Sequence, residues 1–339
     1  MSRTTILDVA AKAGVSKSLV SLVMRGADNV SDEKRRRVLA AAKELGYRPN
    51  AAARSLVRRR SNLFGVLLSD LHNPFFAEVI DGVQAEAAAR GYRTIISSGN
   101  RVMQSEAQAL ETLLELRMDG LILASPVLDM DVIVKAAAEV PTVLVARHAQ
   151  VPTVDSVAND DRSGAELAVN HLVQLGHKNI AHIDGGDGAG ALERRLGYEN
   201  AMRRAGLDQY VQVVRSTFTE EGGRQGAETL LASSRRPTAI FASNDLAAIG
   251  ALGVLAGAGI KIPEEMSLIG YDNTALASLR HVDLTTINQP RPDMGHAAVT
   301  LLLERLESRR DIAQHLLMPP TLVTRGTTAA APASKSKKV

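Results

Sequence analysis

Few patterns in this 339-residue chain have the residue types and spacing to do chemistry. Gly186-Asp187-Gly188-Ala189-Gly190-Ala191 fits GxGxx(G/A), the turn from strand to helix that cradles a dinucleotide pyrophosphate. It would suit an NAD(P)-dependent oxidoreductase. That fingerprint also asks for an acidic residue at the end of the next strand, to hold the ribose, and Arg215 stands there instead. A glycine-rich turn serves equally wherever a strand must bend tightly into a helix. No second catalytic constellation accompanies it. The chain has no Cys, which excludes thiolate nucleophiles, disulfides and zinc ribbons. Its eight His are scattered, without HExxH or pairs at metal spacing. Neither GxSxG nor GxxxxGK(S/T) occurs. The expectation is a protein that is not an enzyme and carries no metal or cofactor.

Charge offers a different lead. Net charge is only +3, yet residues 1–60 hold 14 Lys or Arg against 5 Asp or Glu, and the rest hold 26 against 32. A basic end on an acidic body suits a polyanion partner for that end. Hydrophobic residues at 45% and charged residues at 23% are a globular balance, and the length implies more than one domain. No apolar run is long enough to span a membrane and no secretory signal opens the chain, so a cytoplasmic location without membrane association is expected.

Three helices must position the basic end. Ile6, Val9, Ala10 and Ala13 recur at helical spacing until Gly14. Ser16 is a natural cap for a second short helix carrying Val20, Val23 and Met24 inward. A third begins at Ser31, with Asp32 and Glu33 in its first turn, and buries Val38, Ala42 and Leu45. Two short helices about a glycine turn make a helix-turn-helix. After Pro49, residues Asn50, Ala53 and Leu56 share one face of a segment too short to be a stable helix alone.

The wording is more specific than the pattern. TILDVAAKAGVSKSLVSLVM followed by VSDEKRRRVLAAAKELGYRPNAAARSL resembles the DNA-binding headpiece of the LacI/GalR family over about sixty consecutive residues. The resemblance implies that the second helix enters the major groove, with Lys17 and Ser18 on base edges and Thr5, Ser16 and Ser21 on phosphates. Lys can donate to guanine O6/N7, and hydroxyls suit phosphate oxygens. Two positions depart: Leu19 replaces a common Thr, and Leu22 a common Arg. Leu22 either touches a thymine methyl or packs against neighbouring protein. The resemblance makes residues 49–60 a hinge in which Asn50, Ala53 and Leu56 meet the minor groove and Leu56 wedges a base step. It implies a homodimer on palindromic double-stranded operator DNA. The C-terminus lacks the leucine heptads that would join dimers into tetramers.

Beyond Ser61, short apolar runs alternate with amphipathic helices. Strands are expected at 63–68, 93–97, 120–124, 142–145, 180–183, 211–215, 238–242 and 267–270. Helices between them imply parallel sheets, and the run is long enough for two lobes with a ligand between. Functional residues should then lie just after strands. Asn73-Pro74 is a helix start in any protein, Phe75 and Phe76 suit a core, and Asn244 and Asp272 suit helix caps. The phrases NPFF, HLVQLGHKNIAHIDG, RRLGYENAM, FASNDLAAIGAL and IGYDN…LTTINQP resemble the same family's sensor, which is itself similar to periplasmic sugar-binding proteins. That resemblance implies Phe76 and Phe218 sandwiching a sugar-like small-molecule effector, ringed by Asn73, Arg147, Arg194, Asn244, Asp272 and Gln289. A periplasmic binding protein proper is disfavoured by the basic headpiece and the absent export signal. The fold expected is an all-α helix-turn-helix headpiece (1–48), a hinge (49–60) and an α/β two-lobed, periplasmic-binding-protein-like (type I) sensor with parallel sheets (61–326). An Ala/Ser/Pro/Lys-rich tail (327–339), short of core residues, is expected to be disordered.

Overall fold

The structure is a computed structural model that describes residues 4–47, 60–149, 151–307 and 310–333. The chain divides into two units, Met1–Ser61 and Asn62–Val339. Asn50, Ala53 and Leu56 lie outside the described residues.

In the first unit, helices α1 (Ile6–Ala13), α2 (Lys17–Met24) and α3 (Asp32–Glu44) enclose Val9, Val20, Val23 and Val38. Thr5 and Asp8 form a reciprocal capping box that starts α1. Gly14 ends α1 at φ 62°, a left-handed conformation that a side chain would strain. Ser16 Oγ then accepts from Leu19 N at 3.2 Å and opens α2. Arg37 Nη2 reaches from α3 to the Ala13 carbonyl at 2.7 Å and satisfies an orphan acceptor at the end of α1.

The second unit runs β1 (Leu63–Leu68), α4 (Pro74–Ala89), β2 (Arg93–Ser98), α5 (Met103–Glu115), β3 (Gly120–Ala124), α6 (Met130–Glu139), β4 (Thr142–Val145) and β5 (Asp155–Asn159). It continues with α7 (Asp161–Gln174), β6 (Ile180–Ile183), α8 (Ala191–Arg204), β7 (Gln212–Val214), α9 (Glu220–Ala232), β8 (Ala239–Ala242), α10 (Asp245–Gly257), β9 (Ser267–Asp272) and β10 (Thr285–Asn288). It closes with α11 (Arg291–Leu306), β11 (His315–Met318) and β12 (Thr321–Val323). Two six-stranded sheets result, ordered β11-β5-β4-β3-β1-β2 and β12-β10-β9-β8-β6-β7. The chain passes between lobes after β5, after β10 and after β11.

The inner strands β1, β3, β4, β6, β8 and β9 are buried on both faces, which is why they read as apolar runs. Along β1, Phe64, Val66 and Leu68 join a core with α4 and α11, whereas Leu67 points into another with α5 and α6. In the second lobe Ile180 faces α7 and α8, and Ala181 faces α9 and α10.

The sheets are parallel as expected, apart from the edge strand β12, which pairs antiparallel with β10. One expectation needs correction. The tail is not free from Thr327 onward: residues 327–331 are held against the second lobe. Leu268 N donates to Thr327 O at 2.8 Å, Thr327 Oγ1 donates to Leu268 O at 2.7 Å, and Thr285 N donates to Thr327 Oγ1 at 2.9 Å. Further along, Ala331 N donates to Leu175 O at 2.8 Å. A segment poor in large apolar groups can still be fixed by saturating backbone groups at the ends of strands, and composition does not register that.

Candidate functional site

In the first unit the candidate DNA-reading residues stand at the start of α2. Lys17 and Ser18 are exposed there, as are Thr5 and Ser16 at the caps, while Ser21 is half-buried one turn on. Thr5 Oγ1 donates to Asp8 Oδ2 at 2.8 Å, so its proton must be re-aimed before it can serve a phosphate. The Ser16 hydroxyl accepts in its cap and keeps its proton for a further acceptor. Leu22 is half-buried against the headpiece core, which favours the packing alternative for that position.

In the second unit the strands of both sheets end at one cleft. Ser69 follows β1, Ser125 follows β3 and Ala146 follows β4, while Phe218, Asn244, Asp272 and Gln289 sit at or just past the ends of β7 to β10. Seven of the eight expected ligand residues line one cavity here: Asn73, Phe76, Arg194, Phe218, Asn244, Asp272 and Gln289. The cavity is small, about 40 Å³. Arg147 is not among them. It lines an adjoining chamber of about 550 Å³, and its Nη1 donates to the carbonyls of Pro126 at 2.7 Å and Leu128 at 2.6 Å. Ser125, Ala146 and Asp272 hold positive φ (52°, 56° and 113°). Such strain in non-glycine residues costs roughly 1–3 kcal/mol each and concentrates at functional sites.

The candidate residues are fixed by the elements that carry them. Asn73 caps α4, its Oδ1 accepting from Phe75 N at 3.0 Å, and Phe75 meets Phe76 edge-to-face with centroids 5.2 Å apart. Asn244 caps α10 by accepting from Ala247 N at 2.9 Å, while its Nδ2 donates to Phe218 O at 3.1 Å. The cap reading and the cleft position therefore hold together for both asparagines. Arg194, buried in the first turn of α8, donates from Nε to Asp161 Oδ1 at 2.9 Å and from Nη1 to Ser243 O at 2.6 Å. Its guanidinium lies 3.7 Å from the Tyr271 ring centroid and 5.2 Å from that of Phe218. Burial works against its charge, but Asp161, Tyr271 and Asp272 outweigh this and raise its pKa. Asp272 accepts from Gln289 Nε2 at 2.6 Å, and its nearest approach to Arg194 is 3.7 Å. Burial dominates there and pushes its carboxyl up to about 7, against the opposing pull of Arg194.

The glycine-rich loop has a steric role in this lobe. A Cβ at Gly185 or Gly188 would lie 2.3 or 2.5 Å from the Phe218 ring, and one at Gly190 would lie 2.4 Å from Asp161. Of the two motif glycines, Gly188 seats the Phe218 ring against the backbone, and Gly186 turns at φ 66° where a Cβ would lie 2.4 Å from the Ser216 carbonyl oxygen, so each has a steric reason that needs no pyrophosphate.

Asp161, Arg101 and Ser69 also line the cavity without a signal in the sequence, and Phe75, which the sequence suggests only as core, lines it too. Among the described residues, no group of three or more His, Asp or Glu could hold a metal ion, and no helix is long and apolar enough to cross a membrane.

Comparison with known proteins agrees with this geometry. A family described as bacterial regulatory proteins, lacI family, matches residues 5–50, and a periplasmic binding protein-like domain matches residues 169–328. The chain is 35% identical over 336 residues to the HTH-type transcriptional repressor CytR of Escherichia coli, with 97% of each covered. It is 35% identical over 323 residues to the ribose operon repressor of Haemophilus influenzae, covering 95% of this chain and 97% of that one. Among solved structures, the lac repressor dimer bound to operator and the anti-inducer ONPF is 31% identical, with a TM-score of 0.86 and coverage of 97% of this chain and 100% of that one.

Proposed function

The chain belongs to the lacI family of bacterial regulatory proteins, and from that premise we propose a repressor whose operator binding is weakened by a small polyhydroxy ligand closed between its lobes. DNA-binding transcription regulation is the activity; the relatives named above are regulators, and no oxidoreductase reading is needed for the glycine loop.

One observation carries the ligand reading. Five side chains able to make directed hydrogen bonds, Asn73, Arg194, Asn244, Asp272 and Gln289, share a cavity with Phe76 and Phe218 where strands from both lobes end. Aromatic faces against apolar sugar faces, with buried Arg and Asp on hydroxyls, make a coherent recognition scheme. Because the two lobes contribute opposite walls, a ligand that prefers them closed shifts the lobe equilibrium by its differential affinity.

A homodimer on a palindrome follows from the headpiece, since a single short recognition helix reads few bases. In support, edge strand β2 of the first sheet exposes Ile95 and Ile96, each at 40%. Asn50, Ala53 and Leu56 keep their proposed minor-groove role. Reading operator DNA puts the protein's work in the cytoplasm.

The test is operator titration with and without added sugars, on wild type, Asp272→Asn and Arg194→Ala. Both variants should bind operator yet fail to respond to the sugar that releases the wild type, a coupling of about 1–3 kcal/mol. An unchanged response in both variants would remove these residues from the site.

A further inference from the structure

The reading of the cleft as a ligand site leaves two cations without a role. Arg101 follows β2 through consecutive left-handed residues, Asn100 at φ 52° and Arg101 at φ 59°. Its backbone N–H donates to Ser69 O at 2.8 Å, which anchors the turn. The side chain lines both the inner cavity and the outer chamber, with its guanidinium 5.7 Å from the Phe218 centroid. Among the described residues it has no hydrogen bond or ion pair. Arg147, at the end of β4, lines the same outer chamber and is held there by Nη1 alone, on two carbonyls. Burial pushes both guanidiniums below the ordinary arginine value. Each has lost water without gaining a carboxylate in contact.

The nearby acids are engaged elsewhere. Glu106 accepts from Ser69 Oγ at 3.0 Å and from Val127 N at 2.7 Å. Asp70 accepts from His72 N at 2.8 Å. Asp187, on the chamber wall, is bound through both oxygens by Arg215 at 2.7 and 2.6 Å. Asp129 attracts Arg147 only at a distance. Thr217 and Thr219, their hydroxyls 2.8 Å apart, add neutral donors to the same wall.

We propose that the ligand has two parts: a polyhydroxy head in the inner cavity, and an oxyanion, phosphate or carboxylate, in the outer chamber on Arg101 and Arg147. This rests on the ligand-cleft reading and narrows its class to anionic sugars. An oxyanion there would supply what both guanidiniums lack, and the planar fork of arginine suits either anion.

Calorimetric titration of the full-length protein with matched sets tests it: ribose against ribose 5-phosphate, and glucose against glucose 6-phosphate and glucuronate. In at least one set the anionic member should bind about 10- to 100-fold tighter than its neutral parent, as charge-assisted hydrogen bonds do. The phosphate-over-glucuronate order identifies the anion. Arg101→Gln should bring that ratio to within about threefold of one, and Arg101→Glu should invert it. A wild-type ratio near one, or a ratio unchanged in Arg101→Gln, overturns the inference and leaves the ligand cleft standing. Binding by no member of either set overturns both together. Because the readout is a ratio within one variant, a partly destabilised protein still decides it.

Discussion

Lys17 and Ser18 sit exposed in the first turn of a helix whose opposite face is buried by Val20 and Val23. Their proposed base contacts make exchange at either position change the preferred half-site by about 1–3 kcal/mol per contact. Binding-site selection on wild type and both variants checks this, and three identical motifs would refute it. His182 makes a different prediction. It is fully buried and stacked on Phe241 at 4.6 Å, and its Nδ1 donates to Phe241 O at 2.9 Å, while Nε2 has no partner among the described residues. Burial holds its pKa at about 4 against the ordinary 6.5. The neutral ring's contribution is full above pH 6.5 and is lost as pH falls toward 4, because the unfolded chain takes up a proton that the core refuses. The total is about 3 kcal/mol. Asp245 and Asp272, raised by burial to about 6 and 7, act with the opposite sign, so parent and variant must be compared at each pH. The stability deficit of His182→Gln in urea melts should narrow by about 2–3 kcal/mol from pH 7.5 to 4.5; a constant deficit would argue against the assignment. At this scale the sequence is readable where a side chain has two jobs. Asn73 and Asn244 cap helices and line the cleft, so their local signal is strong. Asp161 and Arg101 carry none: one follows a strand rich in polar residues, the other owes its position to backbone strain.

Strands β5 and β10 escape a reading by apolar runs for a common reason, whereas β11 and β12 are short edge strands that stay partly exposed. Asp155, Ser156, Thr285 and Thr286 are buried polar residues whose hydrogen bonds replace apolar contact: Asp155 is held by Arg305 and Arg310, and Thr286 donates to Asp245 at 2.6 Å. The inner apolar strands and the alternating helices are legible because both faces of the sheets are covered there. Helix packing carries information of another kind. A Cβ at Gly250 of α10 would lie 1.9 Å from the Glu220 carbonyl of α9, whereas one at Gly253 on the same helix meets nothing within 4 Å. Gly250→Ala should therefore force the helices apart and cost about 1–3 kcal/mol, even though alanine favours helix. Gly253→Ala should stabilise by about 0.5–1 kcal/mol. Thermal melts of the two variants should move in opposite directions; a shift of the same sign in both would contradict this packing.

Over the whole sensor, long-range ties matter more than any local element. Thr327 serves one backbone group of β9 and one at the start of β10 through a single hydroxyl. Thr327→Val leaves both buried groups short of a partner and should cost about 2–4 kcal/mol, while Thr327→Ser should stay within about 1 kcal/mol of wild type. Urea midpoints decide it, and a valine variant as stable as the parent would make the docked tail incidental. The three passages between lobes have a further consequence, during synthesis. The first lobe opens at β1 but needs α11 over α4 and β11 beside β5 to close its core. At about 5–20 residues per second, the ribosome takes roughly ten to thirty seconds to go from the end of β5 to the end of β11. Val79, Ile80 and Val83 lack their α11 cover for most of that interval, until Arg291–Leu306 is made. A nascent chain released before Arg291 would carry the three headpiece helices and neither lobe complete, so a premature stop there would separate the reader of DNA from everything that instructs it.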